Sequence, residues 1–149
     1  MIKMLTFTEK GVCEKIANMF ELAAEDHWYP IIFIEKWLIS ETNEALIELC
    51  FKEIAQSPRY QLNSFYAELR ENNIVLDKAK YCDKTAMYWM GYTLTYWCFL
   101  RNIKPEELLR NYSMLDIYAR FETLHSLSTE RAIEEIENNL NTSFYYFSN

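Results

Sequence analysis

Glycine and proline are both scarce in this sequence. Its 149 residues include two glycines and three prolines. Strand-rich folds need many tight turns, and tight turns use these two residue types. The scarcity therefore favours helices joined by short polar links. With only Gly11 and Gly91 in the chain, a glycine-rich phosphate-binding loop cannot be built, and neither G-x-x-x-x-G-K nor G-x-G-x-x-G occurs.

Residue patterns for metal binding and disulfides are also missing. The two histidines, His27 and His125, lie far apart, and neither has a second ligand three or four residues on. His125 is expected to satisfy carbonyls at a helix end. Four cysteines occur singly in apolar stretches, which is typical of free, buried thiols; they are Cys13, Cys50, Cys82 and Cys98. We therefore predict no metal, no cofactor and no disulfide.

No catalytic constellation emerges from the remaining polar residues. The acidic pairs Glu106-Glu107 and Glu134-Glu135 fall in first helical turns or on exposed faces, where solvated carboxylates are usual. A general acid needs a carboxylate in an apolar pocket, and no pattern places one there. The sequence predicts no catalytic residue and a protein that is not an enzyme.

The formal net charge is −7. A chain this acidic repels phosphate backbones, so direct nucleic-acid binding is disfavoured, whereas a basic protein partner would be attracted. The only basic cluster that a DNA-binding regulator could use is Lys78, Lys80 and Lys84. Residues 1–10 contain no apolar run long enough for a signal peptide, so we expect a cytoplasmic protein.

One segment stands out as the centre of the fold. Asp83 can cap a helix over residues 84–101, and no charged residue lies between Lys84 and Arg101. That uncharged run is shorter than the ~20 apolar residues of a membrane span, so the helix belongs in a protein core. Glycine at position 91 predicts a close approach of a second helix. The face that we expect to be buried comprises Met87, Met90, Leu94, Trp97 and Cys98.

The rest of the chain predicts about seven further helices packed around this one, in one compact all-α domain over residues 1–149. The predicted starts are Thr8, Pro30, Ser40, Pro58, Pro105, Ser113 and Ser128. The helix from Ser40 would bury Leu46, Leu49, Cys50 and Ile54, and the one from Ser113 would reach Leu124 or His125. Residues 74–82 are expected to form a loop or one short strand, and residues 144–147 show no helical pattern.

A stripe of tyrosines follows the opposite face of the 84–101 helix. Tyr88, Tyr92 and Tyr96 recur at helical spacing, with Phe99 beyond them. Such a stripe is either core packing with hydroxyls at its rim or a binding surface, because tyrosine joins a large ring to a polar group. The candidate partner-binding residues are those tyrosines of this set that are exposed: Tyr88, Tyr92, Tyr96, Tyr112, Tyr145 and Tyr146.

Residues 81–140 resemble a group of small uncharacterised proteins of Firmicutes. The resemblance is carried by Met87-Tyr88-Trp89-Met90-Gly91-Tyr92, by Tyr96-Trp97, by Leu124-His125 and by Ala132-Ile133-Glu134. Those proteins look like antitoxins encoded beside toxin genes, some of the toxins being predicted ADP-ribosyltransferases. Their pattern has Tyr, Arg and His where this chain has Leu94, Thr95 and Cys98. The resemblance implies an antitoxin or inhibitor that acts by binding.

Three functions are compatible with these patterns. The first is a non-catalytic protein-binding module, an antitoxin or inhibitor that occludes a partner. The second is an enzyme or small-molecule sensor with an aromatic pocket, and the third is a phage-type inhibitor of a nucleic-acid enzyme. A cavity with convergent polar groups beside Trp89 or Trp97 would favour the second. An exposed apolar patch without a pocket would favour a binder.

Overall fold

The computed structural model describes the backbone of residues 3–148 and the side chains of residues 3–139. This part of the chain contains ten helices and no strand, so the predicted all-α fold is confirmed and the predicted number of helices is too low. The helices are α1 (Phe7–Glu25), α2 (Pro30–Leu38), α3 (Glu41–Ile47), α4 (Phe51–Ile54), α5 (Pro58–Glu71), α6 (Lys84–Arg101), α7 (Pro105–Asn111), α8 (Met114–Ala119), α9 (Phe121–Leu124) and α10 (Thr129–Ser148).

Helix α6 has the predicted bounds and the predicted buried face. The Asp83 carboxylate accepts a hydrogen bond from the backbone N–H of Ala86 at 3.0 Å, which satisfies one of the free donors at the helix start. All five side chains of the predicted face are buried. The helix packs against α1, α3, α7 and α10, and its contact with α1 is the most extensive in the structure. Among the described residues, no helix has the length and apolarity needed to cross a bilayer.

Gly91 makes the contact between α1 and α6 possible, as predicted. A methyl group at this position would lie 2.9 Å from Phe20 Cγ, 3.0 Å from the Cα of Ala17 and 3.0 Å from the carbonyl oxygen of Ile16. Two of these atoms belong to the backbone of α1, so the two helix backbones are almost in direct contact. A larger residue would have to push the helices apart.

An aromatic cluster fills the space between α1, α2 and α5. The rings of Phe20, Phe33, Trp37 and Phe65 meet edge to face, with centroids 5.1 to 6.0 Å apart. All four residues are at most 1% exposed. Edge-to-face geometry brings the positive ring edge to the negative ring face, which adds to the stabilisation from burial alone.

Four helix ends are closed by residues other than glycine. His27, Leu49, Asn73 and Asn102 all have φ between 53° and 63°. At each of them a backbone N–H just beyond the helix bonds back to a carbonyl of the last turn, as in a Schellman motif. Asparagine tolerates this left-handed conformation, whereas a leucine is rarely found in it.

Leu49 accounts for one incorrect prediction. The helix from Ser40 was expected to continue past residue 50, but it ends at Ile47 and a separate short helix begins at Phe51. The break turns Leu49 and Cys50 to the surface, although both were predicted to be in the core, and only Leu46 of that set is fully buried. Cys50 is therefore exposed, whereas Cys13 and Cys98 are buried as predicted and Cys82 is half-buried; all four are free thiols.

Three other helix boundaries differ from prediction. The first helix is capped by Thr6 rather than Thr8, because Thr6 and Glu9 form a reciprocal capping box. The helix from Ser113 is broken at Arg120 into α8 and α9. Helix α10 continues through the tail for which no helix was predicted.

Residues 74–82 form a loop, one of the two structures predicted for them. The loop pairs with another segment in the manner of a β-strand at one isolated antiparallel bridge, between Lys78 and Trp28.

Candidate functional site

An open cavity of about 300 Å³ lies beside Trp89. We call it the aromatic cleft. It is formed by α6, by α9 and by the turn that leads into α10, and its lining residues are Thr85, Tyr88, Trp89, Tyr92, Thr93, Phe121, His125, Leu127 and Thr129. None of these is Lys, Arg, Asp or Glu. The cleft therefore offers aromatic faces, hydroxyl groups and one imidazole to a bound group.

Helical spacing explains the α6 side of the cleft. Its five lining residues lie at positions 85, 88, 89, 92 and 93. Each of them has another member of the set three or four residues away, so they share one side of the helix over two turns. Thr93 is the most buried of them, at 1% exposed. Tyr88, Trp89 and Tyr92 are half-buried, and Thr85 is exposed near the helix start. The cleft is thus apolar along its walls and bears hydroxyl groups at both ends of this row.

Helix α9 supplies the opposite wall. The rings of Trp89 and Phe121 meet edge to face with centroids 5.7 Å apart, and the His125 imidazole stacks on Phe121 at 4.6 Å. Nδ1 of His125 lies 2.8 Å from the backbone carbonyl oxygen of Phe121, so the prediction that His125 satisfies a carbonyl at a helix end is confirmed. Because a carbonyl oxygen only accepts, Nδ1 carries a proton, and Nε2 is the acceptor in the neutral ring.

The tyrosine stripe divides into a surface part and a buried part. Tyr88 stacks on Tyr92 with centroids 6.5 Å apart, and Tyr92 stacks on Tyr96 at 5.9 Å. Tyr96 is 5% exposed, and its hydroxyl donates a hydrogen bond to the carboxylate of Glu130. Burial and this hydrogen bond both raise the pKa of Tyr96. Tyr96 therefore follows the core-packing alternative, while Tyr88 and Tyr92 lie at the rim of the cleft, where the binding alternative stays a prediction.

Carboxylates surround the rim tyrosines. Burial raises the pKa of Tyr88, and the negative charges of Glu14 and Glu21 on α1 raise it further. Burial also raises the pKa of Tyr92, with added contributions from Glu14 and Glu130 among others. Burial is the larger cause of both raised pKa values, and the added contribution of the carboxylates shows that negative charge lies near both hydroxyls. The rim therefore favours cationic groups.

The other predicted tyrosines do not join the cleft. Tyr112 follows α7, is half-buried and packs on Trp97 with ring centroids 4.7 Å apart. The side chains of Tyr145 and Tyr146 lie outside the described residues. Three other tyrosines, which were not predicted to bind a partner, are more exposed than Tyr88, Tyr92, Tyr96 or Tyr112. They are Tyr29 at 49%, Tyr60 at 52% and Tyr81 at 79% exposed.

Sequence patterns missed the α9 side of the cleft. Phe121 and His125 are one turn apart, a spacing that shows only that they share a helical face. Nothing in the sequence shows that this face meets Trp89, because that contact depends on the turn at Arg120, where the predicted helix breaks. Thr85, Thr93 and Thr129 were likewise not recognised as lining residues, since threonine hydroxyls carry no motif of their own.

A second cavity, of about 280 Å³, lies beside a polar network that holds the loop of residues 74–82. Asp26 accepts hydrogen bonds from Arg59 at 2.9 Å and from the Tyr66 hydroxyl at 2.7 Å, and that hydroxyl accepts one from the Trp28 indole at 2.7 Å. Lys78 donates to the carbonyl oxygen of Asp26 and lies 4.0 Å from the centroid of the Trp28 ring. These groups satisfy one another, which indicates a structural network.

Two of the three lysines in the only basic cluster are engaged within the chain. Lys78 belongs to the network just described, and Lys84 lies 3.4 Å from a carboxylate oxygen of Glu25. Among the described residues, no group of three or more His, Cys, Asp or Glu side chains is placed to hold a metal ion.

Comparisons of the chain with protein-family models, with curated proteins and with solved structures found no match. The resemblance of residues 81–140 to antitoxin-like proteins therefore stays a prediction, and the function has to be argued from the cleft itself.

Proposed function

We propose that this chain is a non-catalytic protein-binding module that presents the aromatic cleft and its rim tyrosines, Tyr88 and Tyr92, to a basic partner. The observation that carries the proposal is the placement of two stacked, half-buried tyrosines at the mouth of a cavity with carboxylates around it. The resemblance to antitoxins suggests a toxin as the partner, and the acidity of the chain suits the alternative, a nucleic-acid enzyme. In either case the chain would occlude the partner's active site.

Tyr88 and Tyr92 have the properties of binding anchors. Each is half-buried and is held in place by a stacked neighbouring ring, so little side-chain entropy remains to be lost on binding. Tyrosine is enriched among residues that dominate interface energies, because its ring buries a large area while its hydroxyl stays hydrogen-bonded. The net charge of −7 would speed association with a basic surface at low salt.

The test is co-purification with the product of the adjacent gene, followed by affinity measurements on tyrosine variants. Tyr88→Ala and Tyr92→Ala should each cost on the order of 2 kcal/mol in binding, or roughly 30-fold in Kd, with a much smaller effect on folding. Tyr60→Ala is the matched control, because Tyr60 is 52% exposed on α5 and does not line the cleft. Equal losses for Tyr60 and for the rim tyrosines would contradict the proposal, as would affinity that is independent of salt.

A small-molecule sensor is the second candidate, and the cavity beside Trp89 favours it by the criterion drawn from the sequence. The protein-binding proposal rests instead on the two rim tyrosines and the negative charge near them. The cavity is at the lower end of the 300 to 1,000 Å³ typical of ligand sites, and it contains three threonine hydroxyls and an imidazole. A metabolite that raises the melting temperature of the wild-type protein, but not that of a cleft variant, would favour this function. If the gene neighbour then fails to bind, the protein-binding proposal is wrong.

A further inference from the structure

We propose that the aromatic cleft receives an arginine side chain from the partner protein, with the guanidinium packed against the Trp89 ring. This inference rests on the proposed function and specifies the chemistry of the group that enters the site. Three independent properties of the cleft support it: its aromatic walls, its hydrogen-bond acceptors and its electrostatic surroundings.

The walls of the cleft suit a planar cation. The faces of aromatic rings carry partial negative charge and attract cations near the ring centroid, most strongly for tryptophan. The cleft combines Trp89, Tyr88 and Tyr92 from α6 with Phe121 from α9. Guanidinium is planar and weakly hydrated, so it stacks on such rings at a lower desolvation cost than the compact ammonium of lysine. The geometry therefore favours arginine over lysine.

The polar lining supplies acceptors for a group that only donates. Guanidinium has five N–H donors and no acceptor. Threonine hydroxyls at positions 85, 93 and 129 can each accept a hydrogen bond. Nε2 of His125 is also an acceptor, since Nδ1 is committed to the Phe121 carbonyl. The lining residues include no Lys or Arg whose charge would oppose an incoming cation.

The surroundings of the cleft add negative charge. Glu14 and Glu21 on α1 act on Tyr88, and Glu130 on α10 acts on Tyr92 and bonds to Tyr96. These carboxylates flank the cleft without lining it, so they attract a cation without requiring a buried ion pair. A free carboxylate-bearing ligand would be repelled by the same groups. This charge pattern favours a cationic occupant, and in the proposed function that cation belongs to a segment of the partner that also contacts the rim tyrosines.

The experiment uses the full-length purified protein and capped peptides of sequence Gly-Gly-X-Gly-Gly, where X is Arg, Lys or citrulline. Citrulline has the shape of arginine without its charge. Binding is followed by the indole N–H resonance of Trp89 in NMR spectra, assigned with a Trp89→Phe variant. The Arg peptide should bind about 10-fold more tightly than the citrulline peptide, the ratio that corresponds to about 1.4 kcal/mol of cation–π attraction. The Lys peptide should lie between them.

A charge placed at the mouth of the cleft provides a matched pair of variants. Thr85 and Thr8 are both exposed, and each is the second residue of its helix, but only Thr85 lines the cleft. Thr85→Lys should weaken binding of the Arg peptide at least about 5-fold, because at an effective dielectric constant near 20 like charges a few ångströms apart repel by at least 1 kcal/mol. Thr8→Lys changes the net charge equally and should leave peptide binding unaltered.

Four results would overturn the inference. They are equal affinities for the Arg and citrulline peptides, equal effects of Thr85→Lys and Thr8→Lys, a Trp89 resonance that does not shift, and tighter binding of free L-arginine than of the capped peptide. The last would identify a metabolite as the occupant. If the gene neighbour binds through Tyr88 and Tyr92 and yet the peptides show no preference for arginine, this inference falls while the proposed function stands. If the peptides behave as expected and the neighbour does not bind, only the identity of the partner in the proposed function fails.

Discussion

The two glycines of the chain offer a matched pair of substitutions that measures the contact between α1 and α6. Both lie inside helices, so replacing either with alanine gains about 1 kcal/mol of helix propensity. Around Gly11 a new methyl group would meet nothing within 4 Å, and the site is exposed. Gly11→Ala should therefore stabilise the protein by nearly the full gain.

Gly91→Ala should have the opposite sign. Its methyl group would lie 3.0 Å from two backbone atoms of α1 and 2.9 Å from a ring atom of Phe20. Backbone atoms cannot rotate away, so relief requires the helices to separate. Overpacking of this kind costs about 1–3 kcal/mol, which exceeds or cancels the propensity gain. We expect Gly91→Ala to be neutral at best and to lose up to about 2 kcal/mol.

The difference between the two variants is more informative than either value, because the propensity gain cancels. It should equal the steric cost alone, about 1–3 kcal/mol, which corresponds to about 2–4 °C in melting temperature per kcal/mol for a domain of this size. Urea denaturation of both variants beside wild type measures it. A Gly91→Ala protein stabilised as much as Gly11→Ala would refute the close approach of α1 and α6.

Three further substitutions test other parts of the fold. Trp97→Ala should cost about 3–5 kcal/mol because Trp97 is 1% exposed, and a urea midpoint unchanged from wild type would show that α6 is peripheral. Burial would raise the pKa of Asp26, but hydrogen bonds from Arg59 and Tyr66 lower it overall, so stability should fall as pH drops below about 3.9 towards the lowered value. Asp26→Asn should flatten the pH profile of the urea midpoint in that window, and a profile identical to wild type would be inconsistent with this role. Leu49→Gly should be about 1 kcal/mol more stable than Leu49→Ala, which removes the side-chain packing but keeps the strained left-handed backbone, and equal stabilities would contradict that source of strain.

The sequence predicted helix α6 to the residue because several signals agree there. Asp83 caps its start, and Lys84 and Arg101 flank an uncharged interior. At the ends of α3 and α8, capping residues and flanking charges do not coincide in this way. At Leu49 the backbone takes a conformation that leucine disfavours, so tertiary packing overrides the local preference of this residue. No pattern in the sequence shows where such an override occurs.

The cleft was predictable only in part, for a related reason. Its α6 side follows from helical spacing, which placed Tyr88 and Tyr92 together from the sequence alone. The opposite wall depends on how the segment around Phe121 folds back, and Phe121 lies 29 positions after Tyr92 (121 − 92). Contacts over such separations are set by the packing of whole helices and leave no local signature.

Gly91 connects the packing of the core to the geometry of the candidate site. It lies between Tyr88 and Tyr92 along α6, and it touches α1 at Ile16, Ala17 and Phe20. Glu14 and Glu21, the carboxylates that act on the rim tyrosines, flank this contact on either side along α1. The distance between α1 and α6 therefore also sets how closely the acidic groups approach the cleft. Both glycines lie inside helices. Four helix ends with the left-handed conformation that glycine often supplies are closed by His27, Leu49 and two asparagines instead. The chain places glycine at position 91, where only the smallest residue lets α1 approach α6 this closely.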